Sequence, residues 1–122
     1  MQNLTIGDKM ALELRIIRGD TYDIFFEIVD SDGVAVPIVS DGWTVVFESE
    51  YINKDSQNNP LDFIIETGSY TTGKGVIVLK STETDPPTKQ RLHYKIKLSK
   101  DVNPPVIKTV SSGDLFFIDE AW

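Results

Sequence analysis

Residues 12–47, LELRIIRGDTYDIFFEIVDSDGVAVPIVSDGWTVVF, carry the pattern that decides the fold. Apolar side chains alternate with other residues in three segments, at residues 12–16, 22–28 and 43–47. A period of two is typical of half-buried β-strands. Turn sequences that contain glycine, Arg18-Gly19-Asp20 and Asp30-Ser31-Asp32-Gly33, separate these segments. The stretch therefore predicts a β-meander of consecutive hairpins.

The same strand period continues to the end of the chain, and no segment has a helical period. Residues 76–79 are apolar on both faces, which predicts a strand that is central in its sheet or covered on both faces. Residues 91–98 predict a strand with Leu92, Tyr94, Ile96 and Leu98 facing inward. Residues 106–110 and 115–118 predict a final pair of strands around the turn 111–114. These segments together predict an all-β protein, an antiparallel Ig-like β-sandwich of about seven or eight short strands.

The segments between the predicted strands are polar or contain proline. Pro37 cannot donate a hydrogen bond to a sheet, so residues 34–38 are expected to form an edge strand or a linker. Residues 51–60 predict a mobile loop, and residues 81–90, with Pro86-Pro87, predict a second long loop. Residues 1–10 have no strong pattern and predict a flexible N-terminal arm. All 122 residues are expected to form one β-sandwich domain.

Composition excludes several kinds of site and disfavours several partners. The chain has no cysteine and one histidine, so disulfides, thiolate metal sites and multi-histidine sites within one chain are excluded. Its net charge of −7 disfavours binding to nucleic acid or to an anionic membrane, since both are polyanions. No stretch approaches the roughly 20 apolar residues that a membrane span needs. Residues 1–10 lack the apolar run of a signal peptide, so we expect no secretion by that route.

Three motifs have a possible chemical meaning, and each is explained more simply by structure. Arg18-Gly19-Asp20 matches an adhesion tripeptide, and Asp30-Ser31-Asp32-Gly33 resembles the start of a calcium loop, but both are what tight turns require. His93 is expected to be a solvated residue on the outer face of its strand. The sequence nominates no catalytic residue, no cofactor site and no metal site, and we expect a protein that is not an enzyme. The outward Arg91, Lys95 and Lys97 are expected to pair with acidic residues of a neighbouring strand, such as Asp23 and Glu27 or Glu48 and Glu50. The alternative is that these three residues form a docking surface for an acidic partner.

The C-terminal segment is the strongest candidate for an interface. Residues 115–122 are apolar on both faces and end in tryptophan, and a single chain would bury only one face. The candidate interface residues are Leu115, Phe116, Phe117, Ile118 and Trp122. The alternative is a closing strand that is buried in the sandwich, with Trp122 folded over its rim.

The turn sequences also carry a family resemblance. The segments Ile17-Arg18-Gly19-Asp20-Thr21, residues 28–37 and Asp41-Gly42-Trp43-Thr44 resemble the Ig-like β-sandwich domains of tailed-phage structural proteins. Residues 92–96 and 106–115 are similar to two later strands of such domains. The resemblance implies a virion component at the baseplate, tail, neck or capsid surface, made in the host cytoplasm. It also implies that the partners are other virion proteins, in a homo-oligomer or another symmetric assembly.

The resemblance leaves a second function open. Domains of this kind sometimes bind host glycans, and the alternative is a glycan-binding or adhesion module whose binding rim is formed by the loops 51–60 and 81–90. Exposed aromatic residues in these loops would favour it, and the loops contain only Tyr51.

Overall fold

The computed structural model describes residues 2–6, 11–65, 73–86 and 90–119. The strands in these ranges are β1 (Gln2–Ile6), β2 (Ala11–Ile17), β3 (Tyr22–Ile28), β4 (Trp43–Ser49), β5 (Asn53–Asp55), β6 (Phe63–Ile65), β7 (Lys74–Leu79), β8 (Arg91–Lys100) and β9 (Val106–Ile118). A 3-10 turn (Pro60–Asp62) and a single helical turn, α1 (Ser81–Thr84), are the other regular elements of the described chain. The predicted all-β class is confirmed.

Two sheets enclose one hydrophobic core. Sheet A has the strand order β1-β3-β7-β6, and sheet B has the order β2-β9-β8-β4-β5. Inward side chains of both sheets form a single buried cluster that includes Ile24 and Ile77 of sheet A, and Phe47, Tyr94 and Phe117 of sheet B. The rings of Phe47 and Tyr94 stack at 5.8 Å between centroids. Burial raises the pKa of the Tyr94 hydroxyl, although a hydrogen bond with Ser111 opposes the shift.

The two clearest strand predictions are confirmed. β7 lies between β3 and β6, in accordance with its apolar residues on both faces. β8 is central in sheet B, and its buried residues alternate with exposed or partly exposed ones from Arg91 to Leu98. Alternation over eight residues fixes which face of a strand is buried, whatever strands lie beside it.

The predicted meander is wrong. β2 and β4 belong to sheet B whereas β3 belongs to sheet A, so the chain crosses between the sheets at each connection. The corner at Gly19 is a tight turn, with the Asp20 N–H donating to the Ile17 carbonyl at 3.0 Å, but it joins two sheets instead of two hydrogen-bonded neighbours. A hairpin and an arch between sheets place the same alternate residues in the core, so periodicity cannot distinguish them.

The turn at residues 30–33 is stabilised by hydrogen bonds to the side chain of its first residue, Asp30. Asp30 Oδ1 accepts hydrogen bonds from the backbone N–H groups of Asp32 at 2.9 Å and Val34 at 3.0 Å. Gly33 has a φ of +79°, as the predicted turn requires. Residues 34–38, which the sequence predicts to form either an edge strand or a linker, form a linker. Ala35 alone among them forms a β-bridge, and its partner is Val29. Ile38 at the end of this linker is fully buried in the core.

Residues 106–118 form one long strand instead of the predicted pair. β9 runs unbroken for 13 residues through the predicted turn. Gly113 pairs with Tyr94 of β8 on one side and Leu12 of β2 on the other, and its φ is not positive. Ser111 pairs with Ile96 and Thr109 with Lys97, which leaves Val110 as the extra residue of a β-bulge. The glycine that predicted a turn therefore lies within a strand.

The segment predicted as a flexible arm contains a strand. β1 pairs in parallel with β3, with Gln2 opposite Ile24 and Ile6 opposite Ile28. β2 pairs in parallel with the second half of β9. The start of the chain therefore contributes an edge strand to each sheet.

The segment predicted as the first mobile loop contains a buried lysine. Lys54 lies on β5, and its side chain is 1% exposed. Its Nζ donates to Asp62 at 3.1 Å, to Glu83 at 2.6 Å and to the Val78 carbonyl at 2.6 Å. One ammonium therefore connects β5 and the turn 60–62 with β7 and α1. The prediction of a loop is wrong at residues 53–55, because a polar residue in a short edge strand has no signature of burial in the sequence.

The segment predicted as the second loop begins with α1. Glu83 Oε1 accepts the Lys80 N–H at 2.8 Å, which caps the helical turn. The hydroxyl of Thr84, which is fully buried, donates to the Asp20 carbonyl at 2.7 Å. These contacts hold residues 80–84 against the first chain crossing. Residues 87–89 lie outside the described residues.

We expect Lys54→Met to lower the free energy of unfolding by about 3–5 kcal/mol, because it leaves the buried Asp62 and the half-buried Glu83 without their shared cation. Urea denaturation followed by tryptophan fluorescence measures this change. Lys95→Met is the matched control, because Lys95 is exposed and forms no ion pair in the described chain, and it should change stability by about 0.5 kcal/mol or less. Equal effects of the two substitutions would contradict the role of Lys54.

Candidate interaction surface

The outer face of sheet B brings apolar and basic side chains together. The parallel register of β2 and β9 sets Arg15 beside Phe116 and Ile17 beside Ile118. The antiparallel register of β8 sets Arg91 on the other side of Phe116. All five side chains lie on the face directed away from the core. We name them the β2–β9 patch.

Phe116 is the centre of the β2–β9 patch. The guanidinium of Arg91 lies 5.9 Å from the centroid of its ring, within the range of a cation–π contact. Ile17 and Ile118 extend the apolar surface toward the ends of their strands, and both are exposed. A shallow groove of about 370 Å³ runs along the patch, lined by Glu13, Arg15, Gln90, Phe116, Phe117 and Ile118. An aromatic residue flanked by arginines is the composition typical of the centre of a protein interface.

Ion pairs surround this apolar centre. Glu13 accepts from Arg15 at 2.9 Å, and Asp114 lies 3.4 Å from Arg91. Arg18 lies 3.3 Å from Asp119, and its guanidinium also lies 5.5 Å from the centroid of the buried Phe117 ring. Ion pairs at a protein surface generally add little to stability.

The structure divides the predicted interface residues between two faces. Leu115 and Phe117 point inward and are 0% and 1% exposed, so they belong to the core of the chain itself. Phe116 and Ile118 point outward, and Ile118 is 38% exposed. Trp122 lies outside the described residues. The closing-strand alternative therefore describes Leu115 and Phe117, whereas Phe116 and Ile118 remain candidates for an interface.

Sequence reasoning missed the residues that complete the β2–β9 patch. Ile17 follows Ile16 and breaks the alternation of β2, which is the one local signal that it faces outward as an apolar residue. Arg15 and Arg91 carry no such signal, because only the register of β2, β9 and β8 places them beside Phe116.

His93 lies on the predicted outer face, where its side chain is 73% exposed, and it also contacts a carboxylate. Its Nδ1 is 2.6 Å from Asp114 Oδ1, and the same carboxylate faces Arg91. The predicted cross-strand pairing of the basic residues is correct for Lys97, which lies 3.1 Å from Glu48. Glu27 pairs instead with Lys74 of its own sheet at 3.6 Å. Asp114 is an acidic partner that the sequence does not predict, because residues 111–114 predict a turn.

Within the described ranges, no group of three or more histidine, cysteine or acidic side chains is placed to hold a metal ion. The described residues also include no helix that is long and apolar enough to cross a membrane.

Comparison with known proteins relates the fold to a phage protein. The chain is similar in structure to the N-terminal domain of phage TP901-1 ORF48, with a TM-score of 0.55 and 11% sequence identity. The match covers 98% of this chain and 100% of that domain. At this identity the likeness is one of fold, and it extends over the whole sandwich. No family model and no curated protein matches the sequence.

We expect Phe117→Ala to lower the free energy of unfolding by about 3–5 kcal/mol, because it opens a cavity in the core. Phe116→Ala, one residue earlier in the same strand, should cost about 1 kcal/mol, since it removes a half-buried ring and one cation–π contact. Chemical denaturation of the two variants checks this difference. A larger loss for Phe116→Ala would contradict the assignment of the two faces.

Proposed function

We propose that this chain is a non-enzymatic structural and interaction protein of a bacteriophage particle, which assembles through protein–protein contacts at the tail, baseplate, neck or capsid surface. The observation that carries the proposal is the fold match to a phage protein domain over 98% of this chain. The Ig-like motifs of the sequence point to the same class of protein independently. Fold alone does not determine function, so the proposal also rests on a surface.

The β2–β9 patch supplies that surface. It combines an aromatic centre, two arginines and two exposed isoleucines on the outer face of a five-stranded sheet. Rigid apolar surfaces lose little conformational entropy when they dock, which favours stable assembly. The partners are other virion proteins or further copies of this chain in a symmetric assembly.

The glycan-binding alternative has less support. Of the two loops that would form its rim, residues 53–55 are a strand and residues 81–84 a helical turn. Tyr51 is exposed, but it is the single aromatic residue of these loops.

We expect particles purified from the phage that encodes this chain to contain it, as detected by mass spectrometry of tryptic peptides. When the gene carries Phe116→Ser and Ile118→Ser together, we expect the amount in particles to fall by at least about tenfold, because docking of an apolar centre typically accounts for most of the binding energy.

The matched control is the double substitution Leu61→Ser and Ile64→Ser, which changes two apolar side chains that are 90% and 60% exposed on the side of sheet A. This control should enter particles as the unchanged chain does. Absence of the unchanged chain from particles would overturn the phage role. Equal incorporation of both double variants would leave that role intact and overturn the assignment of the β2–β9 patch.

A further inference from the structure

The first half of β9 has an open edge. β9 begins at Val106, whereas β2 pairs with it only from Ser112 onward. Val106 to Thr109 therefore pair with β8 on one side and with no strand on the other side within the described residues. An open edge presents unpaired backbone N–H and C=O groups that can accept an added strand. Its sequence, Val-Ile-Lys-Thr-Val, has high strand propensity, and Ile107 is 61% exposed.

A groove of about 560 Å³ lies beside this edge. Trp43, Leu98 and residues 107–110 contribute its lining from sheet B, and residues 28–31 and Val36 contribute from the corner of sheet A. Trp43 pairs with Lys100, and Leu98 with Lys108, so these four residues share the inward face of sheet B. At this end of the sandwich, sheet A leaves that face partly uncovered and Trp43 only half-buried.

Two lysines lie at this groove: Lys108 is part of its lining, and Lys100 lies beside it, next to Trp43. Lys100 Nζ lies 4.4 Å and Lys108 Nζ 5.7 Å from the centroid of the Trp43 ring. Neither forms an ion pair in the described chain, whereas four other lysines do, namely Lys54, Lys74, Lys80 and Lys97. Asp30 also lines the groove, but one of its oxygens accepts two backbone N–H groups of its own turn. The two ammonium groups are therefore available to a carboxylate from outside.

We propose that this edge and groove bind an extended acidic segment of another protein, which adds a strand beside residues 106–110 and directs a carboxylate to Lys108 and Lys100. A lysine on an edge strand opposes pairing with a basic strand and unspecific pairing with other sheet edges. The same lysine favours pairing with an acidic strand. Backbone hydrogen bonds supply affinity, and the lysines supply the choice of partner. This site is separate from the β2–β9 patch and does not depend on the proposed function.

The test uses three fluorescein-labelled peptides and fluorescence anisotropy with the full chain. The first is acetyl-Thr-Glu-Val-Thr-Glu-Val-amide, the second replaces both glutamates by lysine, and the third is the first peptide with all internal amides N-methylated. We expect the acidic peptide to bind and the other two to bind at least about tenfold more weakly, because one lacks the charge and the other cannot complete a strand. Lys108→Glu should weaken binding of the acidic peptide by a similar factor.

Lys95→Glu is the matched control, since Lys95 is exposed on the opposite face of sheet B, and it should leave binding unchanged. Amide exchange should slow within residues 106–110 when the acidic peptide is added. Failure of the acidic peptide to bind, or equal binding of the N-methylated peptide, would overturn the proposal. Self-association of the chain that Lys108→Glu abolishes would identify a second copy as the occupant and also overturn it.

Discussion

The pairing of β9 with a strand on each side is the constraint on which the rest of the structure depends. β8 joins it antiparallel and β2 joins it in parallel, so the end of the chain holds the start of the chain in sheet B. This pairing turns Leu115 and Phe117 into the core, where they are fully buried. Because strand side chains alternate, it necessarily turns Phe116 and Ile118 outward, where they meet Arg15, Ile17 and Arg91. Core and candidate interface are thus two faces of one strand.

How far the sequence predicts this fold depends on how local each feature is. Alternation in β8 and the two-faced apolar character of β7 predict burial correctly, because the period of a strand depends on its own residues. The choice of partner strand depends on residues that are distant in the sequence. The chain therefore crosses between the two sheets where local periodicity predicts a meander. Gly113 is read as a turn residue because glycine favours turns, whereas long-range pairing holds it within β9. Lys54 is read as a loop residue because its partners, Asp62 and Glu83, are brought to it only by the fold.

The same distinction applies to the sites. The apolar character of residues 115–118 predicts that the C-terminal segment is important, but only the register separates inward from outward side chains. The groove beside Trp43 is beyond sequence reasoning altogether, since it requires the β-bulge at Val110, the unequal lengths of β2 and β9 and the corner of sheet A. Trp43 lies on the inward face of sheet B, but on a part of it that sheet A leaves half-covered. Both surfaces involve β9. The β2–β9 patch lies where β2 pairs with the edge of β9, and the groove lies where β2 does not pair with it.

Native-state hydrogen exchange of the full chain tests the central role of this pairing most directly. If β2 and the second half of β9 are integral to sheet B, the hydrogen-bonded amides of Leu14, Ile16, Leu115 and Phe117 should exchange with the same free energy of opening as those of Leu92 to Leu98 in β8, through global unfolding. Measurement residue by residue by NMR gives these free energies. Exchange of β2 and the end of β9 at a much lower free energy, while β8 stays protected, would contradict the account.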